Sequence, residues 1–512
     1  MKNNIAKTIL TIDVGTSSMR GILFSSAGRI LHSSQTSYFP TCNEDTSEIS
    51  AATLSDALLS VCKNCASFSQ NSNLEICGLS LTSQRSSFLP IDKDGLPLSN
   101  FITWQDRRCL PICSSLKDYN DSIFEKTGLF LSHIPLAPKL MWYILNQPEL
   151  EKKTARYLTI ADYLLHFMTG EYKTDYTYGS RTLLMDIHTL SWDDDLLRLF
   201  HVKREKLCKL VPQGSIIGTL TESFAKLSGL TSGLPVVSAG GDQQCSTLGA
   251  LCVNAGDMLI TVGTGSYVAA LTDKMQLDNN SIICGVSAIP GQYQLEATIL
   301  AGADIFNWYH KTFYSDCSDY DNINMEISAS PIGANGLIAL PHFRGKGSPN
   351  WNPNATGLFY GVNSDCRRGD FARSIIEGIA FEIAENLAFL GKSINADSKT
   401  EHAFSKNQDS ANVIRIAGGL TNSPVLNQII TNICGHQIES CTTNETTAVG
   451  AFLSARVALG FSGNFQDAVS TIHTQHLEFT KSHTYYPDTA SMVEYEVIKE
   501  KRKKIYADLF TQ

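Results

Sequence analysis

Two stretches in opposite halves of the chain repeat one order of apolar runs and small turn residues: Leu10-Thr-Ile-Asp-Val-Gly-Thr-Ser-Ser18 and Leu259-Ile-Thr-Val-Gly-Thr-Gly-Ser266. In each, a β-rich apolar run enters a Gly-Thr turn and a second apolar run leaves it, Arg20 to Phe24 in the first and Tyr267 to Leu271 in the second. The pattern predicts two β-hairpins. After the first, Ser26-Ala-Gly28 turns the chain into a third strand, Arg29 to Ser33. A helix from about Ser50 to Phe68 and a strand from Ile76 to Leu81 follow, and strands then alternate with helices up to about Gly249. The second half repeats the plan: a hairpin over Met258 to Leu271, a helix from Gly302 to Phe313 and a long helix from Gly369 to Ile394. A strand, Val413 to Ala417, then leads into helices Pro424 to Cys434, Thr446 to Gly460 and Met492 to Leu509. Such interleaving predicts an α/β fold. The small-residue stretch between about 245 and 258 separates two domains, 1–250 and 251–512, and polar Asn395 to Ser410 reads as a surface loop.

The turns carry the first chemical signal. Gly15, Gly263 and Gly265 permit positive φ and close approach of backbone to a ligand, while Thr16, Ser17, Thr264 and Ser266 add hydroxyls beside backbone N–H groups, a nest suited to phosphate. A single such turn would read as an ordinary hairpin. Two with matching flanks suggest similar domains facing each other across a nucleotide. Neither matches a Gly-x-x-x-x-Gly-Lys-[Ser/Thr] loop, nor opens a helix as a dinucleotide-binding loop does. Asp13, just ahead of the first turn, would repel a phosphate unless a divalent cation lay between them, which makes it a candidate Mg²⁺ partner.

Further polar groups stand where predicted strands end. Pro235-Val-Val-Ser-Ala-Gly-Gly-Asp-Gln-Gln244 is a buried-strand pattern running into two glycines and Asp242. A carboxylate there is placed to act as a general base, or else to cap the helix that follows. Gln84 and Arg85 in Thr82-Ser-Gln-Arg-Ser86, with Trp104, Asp106 and Arg107 in Trp104-Gln-Asp-Arg-Arg108, offer hydrogen-bonding side chains beside an aromatic platform, as a polyhydroxylated ligand requires. Either cluster taken alone is more often a surface salt-bridge group than a sugar site. Gly418 and Gly419 in Ala417-Gly-Gly-Leu-Thr-Asn422 would let an adenine or ribose approach the backbone near a helix N-terminus.

The net charge of −9 is dispersed, which argues against a nucleic-acid surface. The one basic run, Lys499-Glu-Lys-Arg-Lys-Lys504, reads as a solvated helix face. Fourteen cysteines lack the paired spacing of a zinc site; only Cys62 and Cys65 have two residues between them, with no second pair or His partner at suitable spacing. The polar Met-Lys-Asn-Asn opening predicts no signal peptide, and no apolar run reaches the roughly 18 residues of a membrane span. A cytoplasmic protein with reduced thiols and no membrane partner is expected.

The order of these motifs resembles that of the FGGY carbohydrate kinases of the actin-like, hexokinase-like ATPase superfamily, from about Ile9 to Gly460. Its carriers include Asp13-Val-Gly-Thr16, Ser83-Gln-Arg85, Trp104-Gln-Asp-Arg-Arg108, Gly240-Gly-Asp-Gln243, Thr261-Val-Gly-Thr-Gly265, Ala301-Gly-Ala303, Ala417-Gly-Gly419 and Glu445-Thr-Thr-Ala-Val-Gly-Ala451. The resemblance implies two duplicated actin-like (ribonuclease H-like) domains flanking a catalytic cleft, and Mg²⁺-dependent transfer of the γ-phosphoryl group of ATP to a hydroxyl of a sugar or polyol. Asp242 would be the catalytic base and, with Asp13, would attend the metal. Thr16, Ser17, Arg20, Gly263 and Thr264 would line the phosphates, and Gly302, Gly418, Gly419 and Asn422 the rest of the nucleotide. Gln84, Arg85, Trp104, Asp106, Arg107, Gln243 and Tyr267 would face the acceptor. The motifs are most like those of glycerol kinases, yet Ser86 stands where those carry a Glu, Ile134 where they carry a Tyr and Tyr267 where they carry a Phe. Two lost polar contacts to a small triol cost about 1 to 3 kcal/mol each, so a ketose or related sugar is expected in preference to glycerol. A glycerol kinase and a nucleotide-gated regulatory protein without kinase activity are the competing readings. A homodimer is one assembly the chain could form.

Overall fold

The computed structural model describes residues 6–277, 281–314, 320–395, 412–441, 443–475 and 482–510; all of the 395–410 loop expectation except Asn395 falls outside them. In the first half, strands β1 (Ala6–Val14), β2 (Ser18–Ser25), β3 (Ile30–Ser37), β4 (Leu74–Ser83), β5 (Ile216–Thr219) and β6 (Pro235–Gly241) form one sheet in the order β5-β6-β4-β1-β2-β3. The hairpin strands pair antiparallel, while β1, β4 and β6 run parallel. The second sheet comprises β7 (Met258–Val262), β8 (Ser266–Thr272), β9 (Ile283–Val286), β10 (Tyr293–Ile299), β11 (Ile414–Ala417), β12 (Ile438–Ser440) and β13 (Thr484–Tyr485), in the order β9-β10-β8-β7-β11-β12-β13. Read from the third strand of each meander, β3-β2-β1-β4-β6 and β10-β8-β7-β11-β12 are the same arrangement. The echo of the two hairpins in the sequence is thus a duplication of the whole sheet.

The first sheet is buried on both faces, which explains why β1 reads as a continuous apolar run and not an alternation. Leu10, Ile12 and Val14 face the core beneath helix α1 (Ala51–Asn71), whose N-cap Ser50 accepts the Thr53 N–H at 3.0 Å. Ile9, Ile22 and Phe24 face the other way, against Phe452 and Leu453 of a helix from the far end of the chain. After α2 (Asp242–Gly249), which follows β6 directly, the second half contributes α3 (Ala303–Phe313), α4 (Arg368–Asn395), α5 (Pro424–Cys434), α6 (Thr446–Ala458) and α7 (Thr489–Phe510). It is α6 that reaches across onto the first sheet, and it crosses α2 backbone to backbone. A Cβ on Gly249 would lie 1.8 Å from the Thr446 carbonyl oxygen, and one on Gly450 would lie 1.9 Å from that of Cys245.

A smaller five-stranded sheet (Thr41–Cys42, Ser47–Ile49, Phe88–Ile91, Phe101–Ile102 and Arg156–Thr159) stands beside the first and carries the Trp104 loop. The described cysteines are all free, and no metal-binding group of three or more His, Cys, Asp or Glu side chains occurs among the described residues. The basic run on α7 is not wholly solvated: Arg502 turns inward to pair with buried Glu382, while Lys499 and Lys503 pair with Glu496 and Glu500 on the surface. No helix among the described residues is long and apolar enough to cross a membrane.

Candidate active site

Sheet register brings the acidic and basic groups together. Ser83, the last residue of β4, pairs with Val14 of β1 on one side and Gly241 of β6 on the other. Asp13, Arg85 and Asp242 therefore stand level at the same end of three adjacent parallel strands, the end at which open α/β sheets bind ligands. The helix cap at this junction is Gly241. Asp242 is the first residue of α2, its Oδ1 accepting the N–H of Gln243 at 2.8 Å while the side chain remains partly open to the cleft.

The charges shape one another. Burial, followed by the nearby Asp242 carboxylate, pushes the Asp13 carboxyl up to about 7, against the opposing pull of Arg20. Burial also raises the Asp242 carboxyl above its ordinary value, opposed by the Arg85 guanidinium, whose Nε lies 3.3 Å from Asp242 Oδ1. Gly241 makes this approach possible, since a Cβ there would sit 2.5 Å from Arg85 Cδ. The far side of the guanidinium crosses to the second sheet: Arg85 Nη1 donates to Glu296 Oε1 on β10 at 2.9 Å and to Gln244 Oε1 at 3.2 Å. Arg181 Nη1 lies 3.5 Å from the other Glu296 oxygen, and Gln294 Nε2 donates to Glu296 at 3.3 Å. Burial raises the Glu296 carboxyl, but Arg85 and Arg181 outweigh it and hold the group down at about 2.

The two hairpins close the cleft on opposite sides. In the first, Gly15 N–H donates to the Ser18 carbonyl at 2.9 Å, and the Gly15 carbonyl accepts from Tyr38 Oη at 2.7 Å and Gln84 Nε2 at 3.1 Å. Thr16 and Ser17 form its tip; Trp104 Nε1 reaches the Thr16 hydroxyl at 3.4 Å. In the second, the Gly263 carbonyl accepts the Ala303 N–H at 2.7 Å, so the start of α3 locks the turn from behind. Gly302 is the residue at that contact because a Cβ would stand 2.5 Å from the Gly263 carbonyl oxygen. A cavity of about 550 Å³ opens beside this hairpin, lined by Gly263, Thr264, Phe306, Gly419, Asn422 and Leu426 among others. Gly418 lies behind it, at φ +115° against Val262. A larger groove of about 750 Å³, between Glu326, Asn335 and residues 367–370, includes none of the cleft residues.

The remaining expected residues separate into two groups. Tyr267, half-buried, shares the Arg85 and Glu296 surroundings, and Gln243 follows Asp242 directly. Asp106 is fully buried and turned inward: its oxygens accept the Ser47 N–H at 2.8 Å and the Arg108 side chain at 2.8 to 3.0 Å, which leaves it a brace for the Trp104 loop. Gln84 likewise supports the first hairpin, Arg107 is exposed, and Arg20 donates across the cleft to Glu445 at 2.8 Å. Ser86, at φ +68°, spends its hydroxyl on the Arg181 carbonyl at 3.4 Å. Ile134 is 38% exposed, on a loop tied down by buried Lys139, whose Nζ donates to the carbonyls of His133, Ile134 and Pro135 at 2.6 to 2.7 Å. Sequence reading did not single out Arg181, Glu296 or Lys139. A buried Gln294 and Glu296 two residues apart on an otherwise apolar strand were the available signal.

Comparison with known proteins gives the family. The profile of the N-terminal domain of the FGGY family of carbohydrate kinases matches residues 8–249, and that of its C-terminal domain matches residues 258–459. A glycerol kinase of Bacillus anthracis is 30% identical over 483 residues, 90% of this chain and 92% of that protein; one of Enterococcus faecalis is 29% identical over 478 residues, 89% and 90%. Among solved structures, a ligand-bound xylulose kinase from Lactobacillus acidophilus superposes with a TM-score of 0.87 at 24% identity, covering 98% of each chain. A Plasmodium falciparum glycerol kinase with ADP gives 0.86 at 23% identity, covering 97% of each. The chain belongs to the FGGY family of carbohydrate kinases. It is a phosphotransferase that uses ATP to phosphorylate a hydroxyl of a sugar or polyol.

Proposed function

We propose that Asp242 is the general base of this transfer and that the acceptor is a ketose or related sugar larger than glycerol. The observation that carries the reading is the level placement of Asp13, Arg85 and Asp242 at the ends of three adjacent strands. Asp242 takes the proton of the acceptor hydroxyl as that oxygen attacks the γ-phosphorus. Arg85, Trp104, Gln243 and Tyr267 hold the acceptor. Thr16, Ser17, Gly263 and Thr264 cradle the phosphates, while Gly419 and Asn422 border the nucleoside in the cavity beside α3. Phosphoryl transfer asks chiefly for positioning and charge neutralisation, and no covalent nucleophile is required of this chain.

Asp13 and Asp242 also suit Mg²⁺, a hard cation that takes one or two carboxylates together with substrate phosphates. Burial is the main cause of the raised Asp13 carboxyl and the Asp242 carboxylate adds to it; that repulsion is what a dication would relieve. When bound, the metal would neutralise charge on the phosphates. The larger acceptor follows from Ser86 and Ile134: the first is committed to a backbone carbonyl and the second is apolar, so neither serves a hydroxyl of a small triol. The working protein is cytoplasmic, divided into units 1–250 and 251–512 that close on the substrates.

Replacement of the base tests the reading. Asp242→Asn is expected to lower kcat by about three orders of magnitude, within the range that a positioned general base contributes. Nucleotide binding, followed by fluorescence or calorimetry, should change little. A variant that turns over at near-normal rate would remove the assignment.

A further inference from the structure

We propose that Glu296 is a positioning residue which the second half of the molecule supplies to the acceptor site of the first, holding Arg85 against Asp242. The inference rests on the placement of acceptor and base proposed above. Arg85 belongs to the loop after β4 in the first sheet, and Glu296 to β10 in the second, so their ion pair at 2.9 Å spans the cleft. The pair is directional: Nη1 and Nη2 point to the two Glu296 oxygens at 2.9 and 3.5 Å, and Nε is left to face Asp242 at 3.3 Å.

Both side chains are nearly sequestered, Arg85 at 11% and Glu296 at 9% exposure, so the contact is desolvated and weakly screened. A second cation depends on the same carboxylate. Arg181 Nη1 has Glu296 as its ion-pair partner at 3.5 Å and makes no hydrogen bond. Without Glu296, Asp242 alone would face two buried guanidiniums, and their mutual repulsion would draw Arg85 from its place. The Arg85 methylenes occupy the space over Gly241, where a Cβ would lie 2.5 Å from Cδ, so the absence of a side chain there lets the arginine run between Asp242 and Glu296. Since the carboxylate arrives only with the second sheet, the acceptor site is complete only when the halves are together, and acceptor recognition is thereby linked to closure.

The test compares Glu296→Gln, Glu296→Asp, Arg85→Gln and the double variant Glu296→Gln/Arg85→Gln. Steady-state kinetics would use whichever of glycerol, xylulose and gluconate the unmodified enzyme phosphorylates fastest. Glu296→Gln should raise the acceptor KM at least 10-fold while the ATP KM stays within twofold, and Glu296→Asp should recover part of the loss. The double variant should be no worse than Arg85→Gln alone, because the two residues act as one unit. An acceptor KM within twofold of the unmodified enzyme in Glu296→Gln, or losses that multiply in the double variant, would overturn the proposal. If Glu296→Gln fails to bind nucleotide as a folded protein does, Glu296→Asp carries the same comparison. Failure of the underlying site reading is distinguishable, because it would show as normal turnover in Asp242→Asn whatever Glu296 does.

Discussion

Asp242 owes its surroundings to residues with no charge of their own. Gly240 and Gly241 end β6 just before it, and in the sequence they mark only the end of the strand. In the structure each has a specific neighbour: Gly240, at φ +120°, faces Thr177, and Gly241 gives passage to the Arg85 side chain. The Arg85 methylenes can move where backbone could not, so Gly241→Ala should fold. The expected outcome is a displaced Arg85 and an acceptor KM raised about 10-fold, with the ATP KM unchanged, read by steady-state kinetics. Equal losses toward both substrates would mean that Gly241 supports the whole cleft and not the arginine. At this scale the sequence was partly legible. Asp13, Arg85 and Asp242 could be found because strand ends are marked by glycines and polar residues after apolar runs. Asp106 read as a ligand because, although neighbouring Arg108 allowed a salt bridge, nothing nearby in sequence foretells that the remote Ser47 N–H also occupies its oxygens and buries it. Glu296 and Arg181 escaped notice because their partners lie in a different segment or domain.

Elements were more legible than residues where they are long. The expected helix Pro424 to Cys434 matches α5, and the expected helix Gly302 to Phe313 differs from α3 by one residue at its start. The short strands of the five-stranded sheet, two to four residues each, carry too few positions for a period to show. Helix α6 was placed correctly, but not its role on the first sheet, since nothing in its sequence says which sheet it covers. Its crossing with α2 yields a prediction. In an exposed helix, Gly450→Ala would gain about 1 kcal/mol of helix propensity. Here the new methyl would meet the Cys245 carbonyl oxygen at 1.9 Å, and a backbone atom held within α2 cannot swing aside. Overpacking of this kind costs about 1 to 3 kcal/mol or more, so the clash should win and Tm should fall by a few degrees. A raised Tm would mean that the helices separate readily, and the close crossing would lose its structural importance.

At the scale of the molecule, duplication is the organising fact. Two sheets of the same strand order place two Gly-Thr hairpins on either side of one cleft. The ion pairs Arg20–Glu445 at 2.8 Å and Arg85–Glu296 at 2.9 Å tie the halves across it, the first beside the Gly15 hairpin and the second beside Asp242. A site shared in this way excludes water from the transferred phosphoryl group only when closed, so ATP turnover should depend on the acceptor. The most direct measurement is ADP release from Mg²⁺-ATP against a panel of glycerol, tetritols, pentitols, ketopentoses, ketohexoses, deoxyketoses and aldonates. Turnover stimulated far above the acceptor-free rate by one or two compounds, with a ketose or related sugar ahead of glycerol, is the predicted result. Equal ATP turnover with and without every compound, in protein shown to bind ATP, would contradict the account.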